Sequence, residues 1–229
     1  KRVSELRVHN AYDTVAMKID GIAIDIATAR KEQYPNPGHN PHVIPEELEK
    51  DLSRRDFTVN AIAIDLLGGQ LLDPFEGRSA IEVRELMFIH PKSVEDDHTR
   101  IIRAARYAAR LNFTLNPKSI QQIKTTIERW PWEWLPNQPA ELAPPALGTR
   151  LKLEIELLMR EEPWRLALKS LQSWGGLILL DRHLQDDMQW ERRLHWATKL
   201  GIEPITALIA GAKNPSALAK RLQLPNRQQ

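Results

Sequence analysis

Arg54 to Asp65 reads RRDFTVNAIAID, and the rest of the chain is best read outward from it. The first half is polar, with Arg54, Arg55, Asp56, Thr58 and Asn60. The second half, Ala61-Ile62-Ala63-Ile64, is a short apolar run that the pattern expects to be buried. Paired guanidinium groups beside an acid and an amide make a polar surface suited to an anion. The same residues also suit a helix start whose charges neutralise one another. These residues alone leave both readings open, so the flanking sequence has to choose.

The 229 residues can supply one large domain or two smaller ones with real cores. Hydrophobic residues at 42% and charged residues at 27% fit an ordinary globular protein. A net charge of +2, from 32 basic and 30 acidic side chains, does not announce a nucleic-acid binder, although clustered arginines would permit one. The absence of Cys excludes disulfides and thiolate metal sites and fits a reducing compartment. The first ten residues, KRVSELRVHN, lack the apolar core of a signal peptide, and the longest apolar run, near Leu177 to Leu180, is too short for a bilayer. A soluble, cytoplasmic protein without a membrane partner is expected. All seven Trp lie from Trp130 onward and are expected to fill helical cores.

Upstream, Val15, Met17 and Ile19, then Ile22, Ile24 and Ile26, alternate across Asp20-Gly21 and predict a β-hairpin. Asp25 points away from its Ile neighbours, either as an exposed strand residue or as a candidate carboxylate on an open sheet face. Residues 30–43, rich in Pro, Gly and Asn, read as a loop, and 45–52 as a helical turn or two. Downstream, Leu66 to Leu72 reads as a second hairpin turning at Gly68-Gly69, followed by a turn at Asp73-Pro74. Ser79 to Glu85 reads as helical and Leu86 to Ile89 as a last strand. From Ser93 the pattern is helical and divided by Pro, with residues 130–145 as the best linker or insertion.

In the segment Asp96 to Leu111, DDHTRIIRAARYAARL, a helical period puts Arg100, Arg103, Arg106 and Arg110 on one arc. Ile101, Ile102, Ala105, Ala108 and Ala109 fall opposite and are expected to be buried. Asp96 and Asp97 are placed in the first turn, at the positive end of the helix dipole. Four arginines on one arc need anions opposite them. Carboxylates of the protein itself would serve. A nucleotide would serve as well, because Arg binds phosphate or a base edge and Asp accepts from an exocyclic amine.

RRDFTVNAIAID, followed by LLDPFEG and by DDHTRIIRAARYAARLNF, resembles the class II tRNA nucleotidyltransferases, the CCA-adding enzymes. The match is good over about residues 10–115 and loose beyond. The resemblance implies an α+β fold: part of a polymerase-β-like nucleotidyltransferase head over 1–90, a helical neck over 91–160 and a helical body over 161–229. It implies that Arg55 contacts a nucleoside triphosphate and that Asp97 and Arg100 pair with the edge of an incoming C or A. Arg103 and Arg106 would support the same nucleotide. Arg54, Asp56 and Asn60, and with them Arg150 and Glu154 from a last neck motif, would brace the site. Lys and Arg between Lys213 and Arg227 are candidates for tRNA contact.

The family's reaction is attack of a tRNA 3′-hydroxyl on the α-phosphate of CTP or ATP, with Mg²⁺ as cofactor. Departures from the family pattern are plain. Asp96 stands where the family has Glu. The head's Gly-Gly-x-Val-Arg-Asp segment and its metal-holding Asp-x-Asp pair do not occur in the 229 residues. Asp25 alone occupies a third-carboxylate position, so the main metal ligands are expected upstream of Lys1 and the chain is expected to be incomplete. Two other readings stay open: a bacterial poly(A) polymerase, and a non-catalytic RNA-binding relative without the metal site.

Overall fold

A computed structural model of the chain describes residues 3–9, 14–129 and 138–225. Strands β1 (Val3–His9), β2 (Thr14–Ile19) and β3 (Ile22–Ala27) form an antiparallel sheet in that order, with the β2–β3 turn at Asp20-Gly21 as the alternation predicts. The register aligns Leu6 with Met17 and Ile24, and Val8 with Val15 and Ile26. Side chains alternate across a pleated strand, so one face carries Leu6, Val8, Val15, Met17, Ile19, Ile22, Ile24 and Ile26. Arg7, Ala16 and Asp25 form a row on the other face.

The segment read as a loop over 30–43 is instead a second hairpin, β4 (Arg30–Gln33) paired with β5 (His42–Pro45). Its strands are short, β4 is mostly charged, and neither shows a clear apolar alternation, so most of the Pro and Gly residues mark the tip. Helix α1 (Leu48–Ser53) leads into the opening stretch, which makes one tight turn over Thr58–Asn60. The apolar run after it is another correction. Ala61 is fully buried, but Ile64 is 60% exposed, because the run ends in β6 (Ala63–Ile64), a surface strand paired only with β7 (Leu71–Leu72). The six residues between them are ordered by the Asp65 carboxylate, which accepts from the amides of Leu67 (3.0 Å) and Gly68 (2.9 Å).

Helix α2 (Gly77–Glu82) returns the chain to the opening stretch. The Asp73 carboxylate accepts from the amides of Gly77 and Arg78 at 2.7 and 2.9 Å. A Cβ on Gly77 would lie 2.4 Å from the Thr58 carbonyl oxygen, so only glycine permits this approach. That contact joins the Asp73-Pro74 turn to the RRDFT segment. The expected strand near 86–89 is β8 (Glu85–Leu86), parallel to β9 (Thr114–Leu115).

Between them, α3 (Ser93–Asp96) ends at Asp97, and α4 (Thr99–Leu111) begins two residues later. Asp96 therefore closes the short helix α3 and Asp97 lies in the break before α4, so neither stands in the first turn of the arginine-bearing helix. Helices α5 (Pro117–Glu128), α6 (Thr149–Glu161), α7 (Trp164–Ser173), α8 (Arg182–Gln185), α9 (Trp190–Leu200), α10 (Pro204–Ile209) and α11 (Pro215–Arg221) complete the described chain. Residues 130–137, which include much of the expected linker, and Arg227 lie outside the described residues.

Helix α4 packs against α6 and α7. Ile101, Ile102, Ala104, Ala105, Leu151, Ile155, Leu158, Leu168 and Leu171 are all fully buried. Phe57 plugs the opening stretch into this core. It is fully buried, stacks on Phe88 at 5.2 Å and meets the edge of Tyr107 at 5.6 Å. Burying such a ring stabilises by about 2–3 kcal/mol, enough to fix its polar neighbours against α4. Of the Trp residues expected in cores, Trp174 and Trp190 are buried and Trp196 is half exposed.

Candidate functional site

A cleft of about 630 Å³ opens where α1, the β4–β5 tip, α4 and α6 meet. Its lining includes Arg54, Arg55, Asp56, Asn60, Asp97, Arg100, Arg103, Arg150 and Glu154. Nine of the residues singled out from sequence thus share one surface. Asp25 and Arg106 do not line it.

The two buried carboxylates Asp51 and Glu32 organise the wall formed by the paired arginines. Asp51 Oδ2 accepts from Arg54 Nη2 (2.8 Å), Arg54 Nε (3.2 Å) and the Arg30 amide (3.2 Å). Its Oδ1 accepts from Arg55 Nη2 at 3.1 Å. Glu32 Oε1 accepts from Arg54 Nη1 (2.8 Å) and Arg30 Nη2 (3.3 Å), and its Oε2 from the Tyr34 hydroxyl (3.0 Å). Burial pushes the Asp51 carboxyl up, but the bonds and charge of Arg54, then Arg55 and the Arg30 amide, more than offset it and leave it below the usual range. The Tyr34 phenol is held far above its usual range by burial and then by the Glu32 charge. The Arg55 side chain remains 42% exposed toward the cleft.

The Asp56 carboxylate turns inward. Oδ1 accepts from the Phe57 amide and from Asn60 Nδ2, both at 2.9 Å, and Oδ2 from Arg103 Nε at 2.7 Å. Arg103 also reaches Glu154 at 3.3 Å. Burial works against the Arg103 charge, yet Asp56 and then Glu154 hold it protonated more firmly than usual.

Arg106 is buried between Glu154 and Glu162, and Arg110 also bonds Glu162, whose side chain is fully buried. Three of the four arginines on the α4 arc are therefore matched by carboxylates of the protein. Arg100 is different. Its guanidinium is held by Ser93 Oγ (2.5 Å), the Arg54 carbonyl (2.8 Å) and His90 Nε2 (3.3 Å), all neutral groups. Burial and the Arg100 charge lower the His90 pKa to about 4, so its 3.9 Å approach to Asp96 is not an ion pair at neutral pH. Arg100 thus lines the cleft with no carboxylate among the described residues in ion-pair contact, the charge of Asp96 lying farther off beyond His90.

Asp97 lies beside it. Its Oδ1 accepts from the Thr99 amide (3.0 Å) and hydroxyl (2.6 Å), and its Oδ2 lies 3.3 Å from Arg150. Arg150 also donates to the Gly38 and His39 carbonyls, at 2.9 and 3.2 Å, and so ties α6 to the β4–β5 tip. Gly38 has φ +74°, and a Cβ there would meet the His98 ring at 2.9 Å. The tip can dock against the helices only with glycine at that position.

Sequence reasoning missed Glu32, Tyr34, Gly38, Asp51 and Glu162. Asp51 carried a legible signal, since it precedes Arg54 and Arg55 by the three and four residues that bring helical side chains together. Among the described residues no group of three or more His, Asp or Glu side chains could hold a metal ion. Asp25 stands on the sheet opposite Ala16, in the row that contains Arg7. The described residues therefore do not fit a Mg²⁺ site. Of the tRNA-contact candidates, Arg221 is buried and donates to the Leu179 and Leu180 carbonyls, so it braces the helical body.

Residues 1–87 match the family model described as the poly A polymerase head domain. The chain is 33% identical over 224 residues to a CC-adding tRNA nucleotidyltransferase of Deinococcus radiodurans, covering 96% of this chain and 56% of that protein. It is 33% identical over 186 residues to an A-adding tRNA nucleotidyltransferase of Aquifex aeolicus, covering 80% of this chain and 21% of that one. The chain spans about half the length of the first of these relatives and a fifth of the second. A solved structure of a CCA-adding enzyme in an apo form shares the fold, with a TM-score of 0.76 at 24% identity over 98% of this chain and 55% of the other. Together with the RRDFT segment and the Asp97–Arg100 pair in one cleft, these likenesses support a class II tRNA nucleotidyltransferase, with the poly A polymerase head domain matched over residues 1–87.

Proposed function

We propose that the protein adds C, A or both to the 3′ end of tRNA, using its own side chains to select the nucleotide. The observation that carries this reading is Arg100. It is the one arginine of the α4 arc held by neutral groups, and it sits beside Asp97 and opposite Arg55 in a single cleft. Arg100 donates to acceptors on a base edge, Asp97 accepts from an exocyclic amine, and Arg55 neutralises triphosphate charge. Arg103 acts one step back, fixing Asp56 against Glu154. In this reading residues 1–90 form a head, 91–160 a neck that presents the base-reading pair, and 161–229 a body that holds the RNA.

The family model's name favours one second reading, polyadenylation of RNA from ATP. One assay separates the two. The protein is incubated with tRNA lacking its 3′ end, with CTP and ATP singly and together. Addition limited to the missing residues supports tRNA repair, and long A tracts would support polyadenylation. No incorporation from any nucleotide, with tRNA binding retained, would sink both.

A further inference from the structure

The arginine wall of the cleft does not stand by itself. Arg54 and Arg55 are adjacent, Arg30 approaches from β4, and three guanidinium groups in one place repel one another. Neither Asp51 nor Glu32 is available to solvent, at 7% and 10% side-chain exposure. Their four oxygens accept from Arg30, Arg54, Arg55 and Tyr34. The chain Tyr34–Glu32–Arg54–Asp51–Arg55 staples β4 to α1 and ends at the one member that is substantially exposed, Arg55. Two of the three donors to Asp51 Oδ2 come from a single guanidinium, so Arg54 is fully committed to the scaffold. Arg55 is gripped through one nitrogen at 3.1 Å, and its other terminal nitrogen lies 3.5 Å from the Asn60 carbonyl.

We infer that Asp51 and Glu32 are positioning residues that hold Arg55 preorganised for a triphosphate, and that Arg54 serves as the strut between them. The inference rests on the reading of the cleft as a nucleotide site. A guanidinium already oriented loses less side-chain freedom when a polyphosphate arrives. The carboxylates also set the charge of the wall: they offset the mutual repulsion of Arg30, Arg54 and Arg55 and leave one fork turned outward. The network meets the α4 face that would read the base through the Arg54 backbone carbonyl, which accepts from Arg100 at 2.8 Å, while its carboxylates bond neither Arg100 nor Asp97. Loss of either carboxylate should therefore weaken phosphate recognition and leave base preference alone.

The test is titration of the protein and its Asp51→Asn and Glu32→Gln variants with CTP, with GTP and with inorganic tripolyphosphate, with Arg55→Ala as reference. Asp51→Asn is expected to weaken CTP and tripolyphosphate in parallel, by about tenfold, with an unchanged CTP-to-GTP ratio. Glu32→Gln, which leaves the Arg55 contact intact, is expected to give a smaller loss of the same kind. It keeps the test open if the Asp51 variant does not fold. Wild-type affinity in a folded variant whose Arg55→Ala counterpart has lost binding would overturn the inference alone. A changed CTP-to-GTP ratio would also overturn it, because general damage to the cleft would then be the cause. A wild-type protein that binds neither CTP nor tripolyphosphate would overturn the nucleotide reading and the inference with it.

Discussion

Arg100 and Asp97 lie three residues apart yet are held by different means. Arg100 is fixed by a serine hydroxyl, a carbonyl and a neutral imidazole, whereas Asp97 is fixed by Thr99 and by Arg150 from another helix. Each keeps the sign that base recognition needs. Arg100→Ala and Asp97→Ala are therefore expected to reduce discrimination between nucleotides by about tenfold or more. Tripolyphosphate affinity should change far less. Competition binding with CTP, ATP, GTP and UTP would measure this, and equal loss of phosphate affinity would show that the helix is only a phosphate clamp. Residue identities were legible in the sequence here because spacing alone put four arginines on one arc. Which of the four stays available was not. That depends on Glu154 and Glu162, some fifty residues on, and no local pattern announces that they face Arg103, Arg106 and Arg110.

Helix α4 is the element on which the molecule turns, since one side of it is core and the other is charge. The apolar side was read correctly from periodicity, and Ile101, Ile102 and Ala105 are fully buried. The charged side behaves as a buried ion-pair ladder, stepping from Asp56 through Arg103, Glu154, Arg106 and Glu162 to Arg110. Removing Glu162 takes one of two carboxylates from buried Arg106, which keeps Glu154, and leaves half-exposed Arg110 without its Glu162 contact. Glu162→Ala is expected to destabilise the fold by about 1–3 kcal/mol, seen as a lower urea midpoint, while nucleotide preference in folded protein is retained. A shift near zero would mean that Arg106 relaxes toward solvent. The β4–β5 hairpin marks the limit of reading elements from sequence. Three charged residues and a Gln in a row give no alternation, and the pairing of Arg30–Gln33 with His42–Pro45 is set by α1 and the docked tip.

At the scale of the whole molecule, the β4–β5 tip meets the helices at a buried histidine, and the fold is expected to lose stability in acid. His98 is fully buried where Gly38 meets α4, and burial lowers its pKa to about 3. Its folded pKa lies below its ordinary value of 6.5, so the unfolded chain takes the proton first. The stability this neutral ring contributes is intact above pH 6.5 and is lost as pH falls from there toward 3. Between pH 6.5 and pH 5 the loss from His98 is about 2 kcal/mol, and His90 adds to it in the same direction. Thermal melts at pH 7.5 and 5 would show it, and a His98→Gln variant should flatten the difference. An unchanged difference in that variant would remove His98 as the cause.

The first sheet has a consequence for how the chain behaves in a tube. Its eight aliphatic and Met side chains lie together on one face, and Leu6, Val8, Ile22 and Ile26 are each more than half exposed. Strands β1 and β3 are both unpaired on their outer sides among the described residues. With a net charge of only +2, little long-range repulsion keeps two copies apart. Such a surface is sticky: it makes colloidal behaviour concentration-dependent, gives strand edges a route to stack, and rewards work at low protein concentration and in mild detergent.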